Sequence, residues 1–87
     1  MNISKTSTAG TMQSSDLVVR VEPADRLEIQ IDSTVKKQFE HLIRARVEAV
    51  LSRHAVSRAR VAISDRGALD YAIEARVETA LKRAAGD

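Results

Sequence analysis

Three stretches of this chain alternate apolar and polar residues one by one, and two others repeat their apolar residues every three or four. Leu27, Ile29 and Ile31 alternate with Glu28, Gln30 and Asp32, the cleanest case. Leu17, Val19 and Val21 alternate with Val18, Arg20 and Glu22, and Ala59, Val61 and Ile63 with Arg58, Arg60 and Ala62. A period of two places each apolar set on one face of a strand. Val35, Phe39, Leu42, Ile43, Val47, Val50 and Leu51 fall on one face of a helix, and Leu69, Ile73, Val77, Leu81 and Ala84 on one stripe of a second. Elements with a single apolar face bury it best against one another in two layers. The expected fold is therefore α+β, a two-layer sandwich with a small sheet of three to four strands and two helices packed on one face.

Further detail follows from the punctuation. Ala9 to Met12 reads as a short first strand. Pro23-Ala24-Asp25-Arg26 breaks the chain between the next two strands, which are expected to pair as a hairpin. Ser33 or Thr34 is placed to cap the first helix. That helix lies between the third and fourth strands, so a crossover is available if those strands pair in parallel. Ser64-Asp65-Arg66-Gly67 reads as an exit turn and Gly86 as the stop of the second helix. Residues 1–8, rich in Ser and Thr, are expected to be a flexible segment with little to bury.

Eighty-seven residues make one domain. A chain this short buries a modest core, and a deep catalytic cleft is hard to build on it. Cysteine is absent, which excludes disulfides, thiolate metal sites and a thiol nucleophile, and suits a cytoplasmic location. No apolar run has the length of a signal peptide core or a membrane span. Net charge is +2, but residues 35–66 carry eight basic and three acidic groups. Arg44, Arg46, Arg53, Arg58, Arg60 and Arg66 would suit an anionic partner such as a nucleic acid. Phe39 and Tyr71 are the only aromatics, however, so stacking platforms are missing, and a solvated face offset by Glu40, Glu48 and Asp65 is the better reading.

Catalytic constellations are equally scarce. His41 and His54 have no cluster of further ligands, so they read as surface or core-edge residues and no metal site is expected. Asp65 and Asp70 flank the start of the second helix, where carboxylates cap and offset the dipole, and Tyr71 reads as a packing residue. Gln13-Ser14-Ser15-Asp16 has ordinary turn composition, and no His–carboxylate pair is arranged to activate either serine. No catalytic residue is expected.

Read together, three separated motifs change the picture. Ala9-Gly10-Thr11 with Ser14-Ser15-Asp16, then Val35-Lys36-Lys37-Gln38-Phe39, then Asp65-Arg66-Gly67-Ala68-Leu69-Asp70, continued by Ala75-Arg76-Val77-Glu78 and Arg83-Ala84, occur in this order and spacing. From about Ala9 to Ala85 the chain resembles the acyl carrier protein, or gamma subunit, of citrate lyase. The resemblance implies a single acyl carrier domain over residues 9–87. It also implies that the serine of the Ala-Gly-Thr-x-x-Ser segment, Ser14, with its neighbour Ser15 the second choice, bears a covalent phosphoribosyl-dephospho-coenzyme A arm. Acetyl and citryl thioesters would form on that arm during citrate cleavage to oxaloacetate and acetate. The implied partners are the citrate lyase alpha and beta subunits and the holo-carrier synthase that transfers the prosthetic group, with no nucleic acid and no membrane. Some of the arginines would meet phosphates of the arm or acidic patches of the larger subunits. The carrier subunit of malonate decarboxylase is the nearest rival, and Gly67-Ala68-Leu69-Asp70 favours citrate lyase.

Overall fold

Residues 1–34 and 37–86 are described by a computed structural model. The order is β1 (Ser7–Gly10), β2 (Leu17–Glu22), β3 (Leu27–Ser33), α1 (Lys37–Arg53), β4 (Ala59–Asp65) and α2 (Asp70–Ala84). The strands form one sheet in the order β1-β2-β4-β3. The arrangement is the expected α+β sandwich, with four strands.

The hairpin expectation fails. β4 lies between β2 and β3, antiparallel to β2 with Leu17 opposite Asp65 and Glu22 opposite Arg60. It runs parallel to β3, with Leu27 opposite Ala59 and Ser33 opposite Asp65. The four residues from Pro23 to Arg26 therefore carry the chain across the width of a strand instead of closing a tight turn. Parallel pairing of β3 and β4 through α1 is the crossover that the spacing allowed. β1 pairs antiparallel with β2, Ser7 opposite Val21 and Gly10 opposite Val18. It begins two residues before the expected start at Ala9.

These registers align Leu17, Val19, Val21, Ala59, Val61 and Ile63 on one face, all of them buried. Against them pack Ile43, Val47, Val50 and Leu51 of α1 and Ile73, Val77, Ala80, Leu81 and Ala84 of α2 in one cluster. Full burial of a Val or Leu side chain contributes about 1.5–3 kcal/mol, so this face carries most of the stability. The opposite face carries ion pairs, Arg60 with Glu28 at 2.9 Å and Arg20 with Glu22 at 2.9 Å.

Several expected core residues lie outside it. Phe39, Leu42 and Leu69 are exposed, and Tyr71, expected to pack, is 71% exposed. The expected member Val35 lies outside the described residues. The N-terminal residues bear contacts of their own: Ile3 is buried, Ser4 and Lys5 donate backbone N–H groups to the Ala84 carbonyl, and the Ser7 hydroxyl donates to the Ala80 carbonyl at 2.6 Å.

α1 ends in a double hydrogen-bonded motif. Val56 N–H donates to the Leu51 carbonyl at 2.9 Å and Ala55 N–H to that of Ser52 at 3.0 Å. Between them Ala55 has φ 55, where helices usually place glycine. Replacing Ala55→Gly relieves that strain at some cost in unfolded-state entropy, and we expect a net stabilisation of about 0.5–1 kcal/mol in urea unfolding. An unchanged or lowered midpoint would contradict it.

Candidate attachment site

Ser14 sits between β1 and β2, at the end of the sheet where β4 and β3 also finish and α2 begins. Gln13 to Asp16 form a turn closed by Asp16 N–H donating to the Gln13 carbonyl at 3.1 Å. Ser14 and Ser15 occupy its two central positions and both are exposed. Ser15 has φ 65, in the left-handed region that certain turn types, type II among them, place at the second central residue. Among the described residues no hydrogen bond ends on either hydroxyl.

The base of the loop is firmly held. Gly10, at φ +101, brings its backbone so close to the Leu17 carbonyl that a Cβ would collide with that oxygen. Only glycine fits there. Thr11 N–H donates to the same carbonyl at 3.1 Å. Across the loop, Ser15 N–H donates to the Arg66 carbonyl at 2.8 Å and Arg66 N–H to the Asp16 carbonyl at 2.9 Å. The β2–β4 ladder is thereby extended to the residue next to Ser14.

Asp16 fastens this loop to α2. Arg76 donates from Nε to Oδ1 at 3.2 Å and from a terminal nitrogen to Oδ2 at 2.9 Å, a two-pronged pair. The Thr11 hydroxyl donates to Oδ2 at 2.6 Å and Leu17 N–H to Oδ1 at 2.8 Å. Arg76 foremost, then the Thr11 and Leu17 donors, hold the carboxyl well below the usual carboxylate range, outweighing the opposing effect of burial.

Asp65 has a structural task. It is buried at 1% exposure and accepts from the Ser33 hydroxyl at 2.8 Å, Gly67 N–H at 3.2 Å and Ala68 N–H at 3.0 Å. It shapes the β4–α2 link and joins the ends of β3 and β4. The helix itself starts after Leu69, which provides no side-chain cap, so capping by Asp65 stops short of α2. Asp70, in the first turn as expected, pairs with Arg46 at 2.9 Å.

Nothing nearby makes Ser14 a nucleophile. His41 is an exposed α1 residue. His54 follows the far end of α1, with Nε2 3.5 Å from Glu78. Among the described residues no group of three or more metal-ligating side chains occurs. A surface cleft of about 590 Å³ lies at the other end of the sheet, lined by Pro23, Asp25, Arg26 and Arg60. Several arginines of the basic segment are already paired, Arg46 with Asp70 and Glu74, Arg53 with Glu78 and Arg60 with Glu28. They do not form one free cationic face. Among the described residues no helix is long and apolar enough to cross a membrane.

The loop clamp makes a pH prediction. A carboxyl whose native pKa is depressed contributes its full stability above the ordinary aspartate value and loses it as pH falls through the native one. Arg76→Gln should destabilise the chain by about 1–3 kcal/mol at neutral pH. That difference from the parent chain should shrink once pH drops below about 4. Urea midpoints at a series of pH values would check this, and a gap constant down to strongly acid pH would contradict it.

Comparison with known proteins places this geometry in a family. The family model described as malonate decarboxylase delta subunit (MdcD) matches residues 4–84. The chain is 49% identical over 84 residues to the citrate lyase acyl carrier protein of Haemophilus influenzae strain PittEE, covering 97% of this chain and 88% of that one. It is 44% identical over 84 residues to the citrate lyase acyl carrier protein of Treponema denticola, covering 97% of each. A chain of the Pseudomonas malonate decarboxylase hetero-tetramer in complex with malonate has the same fold, at TM-score 0.73 and 22% identity over 93% of this chain and 84% of that one. The chain belongs to the citrate lyase acyl carrier protein family, within the group the MdcD model describes, and is a non-catalytic carrier subunit.

Proposed function

We propose that this chain is the acyl carrier of a citrate-cleaving lyase and that the Ser14 hydroxyl holds its prosthetic group, a phosphoribosyl-dephospho-coenzyme A, through a phosphodiester. One observation supports this above the others: Ser14 is exposed at the tip of a turn whose base is fixed on both sides, and its hydroxyl has no partner among the described residues. A modifying enzyme can reach such a hydroxyl, and the fixed base gives the tether a defined origin.

The local chemistry suits a phosphodiester. The carboxylate of the same turn, Asp16, is already paired with Arg76, so a second anion two residues away meets little repulsion. When bound, the group supplies a terminal thiol able to carry an acyl group, while the protein supplies tethering and orientation. Tethering raises the effective concentration of that thiol at each partner site. The chain itself needs no base and no cleft, in keeping with its plain surface around Ser14. The lyase alpha and beta subunits and the prosthetic-group transferase are the partners this role requires, and a cytoplasmic location goes with it.

A malonate-decarboxylating complex is the second reading, favoured by the description of the matching family model. Citrate lyase is preferred because relatives of that name reach 49% identity, against 22% for the malonate decarboxylase chain.

Coexpression with the citrate lyase transferase and its precursor-forming enzyme, followed by intact-mass measurement, tests the site. The parent chain and Ser15→Ala should gain the mass of one prosthetic group, and Ser14→Ala should gain none. Full added mass on Ser14→Ala would contradict the assignment. Loaded chain should then restore citrate cleavage to a lyase lacking its carrier, and restoration of malonate decarboxylation alone would favour the second reading.

A further inference from the structure

Four arginines have no carboxylate partner among the described residues. Arg44 donates to the Ile29 carbonyl and Arg83 to that of Thr8, both along the body of the sheet. Arg58 lies just before β4, at the end of the sheet remote from Ser14. Arg66 is different. Its own carbonyl accepts from Ser15 N–H and its own N–H donates to the Asp16 carbonyl, so its backbone is bonded to both residues that follow Ser14. Its guanidinium makes one long contact, 3.4 Å to the Asp65 carbonyl, and the residue as a whole is half-buried.

From this placement we propose that Arg66 binds the phosphodiester on Ser14 and so fixes the first segment of the arm. The inference rests on Ser14 being the attachment residue. A guanidinium pairs with phosphate oxygens through two parallel N–H donors, a stronger and more directional contact than a lysine gives. Division of labour at the loop makes the pairing available: Arg76 is committed to Asp16 by two hydrogen bonds, which leaves Arg66 as the arginine beside the turn with charge to spare. Asp65 cannot compete for it, since that carboxylate is buried and accepts from Ser33, Gly67 and Ala68.

Among the described residues, Lys37 is a second cation at this end with no carboxylate partner, and it is exposed. It begins α1, after β3, and β4 separates β3 from β2. No backbone bond ties it to the Ser14 turn. The register thus selects Arg66 over Lys37, and the two variants are a matched pair for a test.

Nuclear magnetic resonance of the full chain before and after loading gives the readout. On loading, the Arg66 Nε–H signal should shift and the Arg58 signal should stay in place. The phosphorus resonance of the serine-linked phosphodiester in the folded chain should differ from that of the same diester in the urea-unfolded loaded chain, with a difference that shrinks as salt rises. That difference should be lost in Arg66→Gln and kept in Lys37→Gln. An Arg66 signal unmoved by loading, or an Arg66→Gln phosphorus spectrum identical to the parent's, would overturn the proposal while leaving Ser14 as the attachment residue. The parent chain alone decides the matter should Arg66→Gln load poorly. Fragment masses placing the group on any other residue would overturn both assignments.

Discussion

The Asp16 carboxylate is where the Ser14 loop, β2 and α2 are joined. Its two oxygens accept from Arg76, from the Thr11 hydroxyl and from Leu17 N–H. Each donor comes from a different direction, and a charge held in this way has one orientation. The loop could otherwise pivot on its two flanking strands. With Asp16 fixed to a helix sixty residues further along the chain, the turn has a rigid base. Arg66 completes it from the side, extending the β2–β4 ladder beyond Asp65. The tip above carries no such bonds, so stiffness ends at Ser15 and freedom begins at the neighbouring hydroxyl.

Much of the scaffold was readable because burial is periodic. Leu17, Val19 and Val21, and likewise Ala59, Val61 and Ile63, declare their strands and their inner face by alternation alone. Alternation says which way a side chain faces and nothing about which strand lies beside it. That is why β2 and β3 were expected as a hairpin, while the structure inserts β4 between them. The parallel β3–α1–β4 crossover and the antiparallel β2–β4 pair satisfy the same apolar faces equally well. The start of β1 is hidden in the sequence because Ser7 and Thr8 are polar and only Ala9 of the strand is buried.

Helical periodicity erred in the opposite sense. Phe39, Leu42 and Leu69 fit the apolar stripes yet are exposed, as are Met12 and Tyr71. These exposed side chains lie in the first half of α1, around the start of α2 and in the Ser14 loop. As for the site, Ser14 stood out only through its resemblance to a carrier family. The turn composition was commonplace, and the partners that fix it, Arg66 and Arg76, lie fifty and sixty residues away. No local motif could have announced them, although the Arg66-Gly67 and Ala75-Arg76 segments belonged to the resemblance.

A tether that must swing from a fixed point needs a loop firm below and loose above, and amide hydrogen exchange across residues 10–17 and at Arg66 measures this most directly. The account predicts slow exchange at Thr11, Ser15, Leu17 and Arg66, whose N–H groups are bonded within the loop base. Ser14 and Met12 should exchange near the rate of an unstructured chain. Exchange at Ser15 and Arg66 as fast as at Ser14 would contradict the account, because the turn would then have no anchored base.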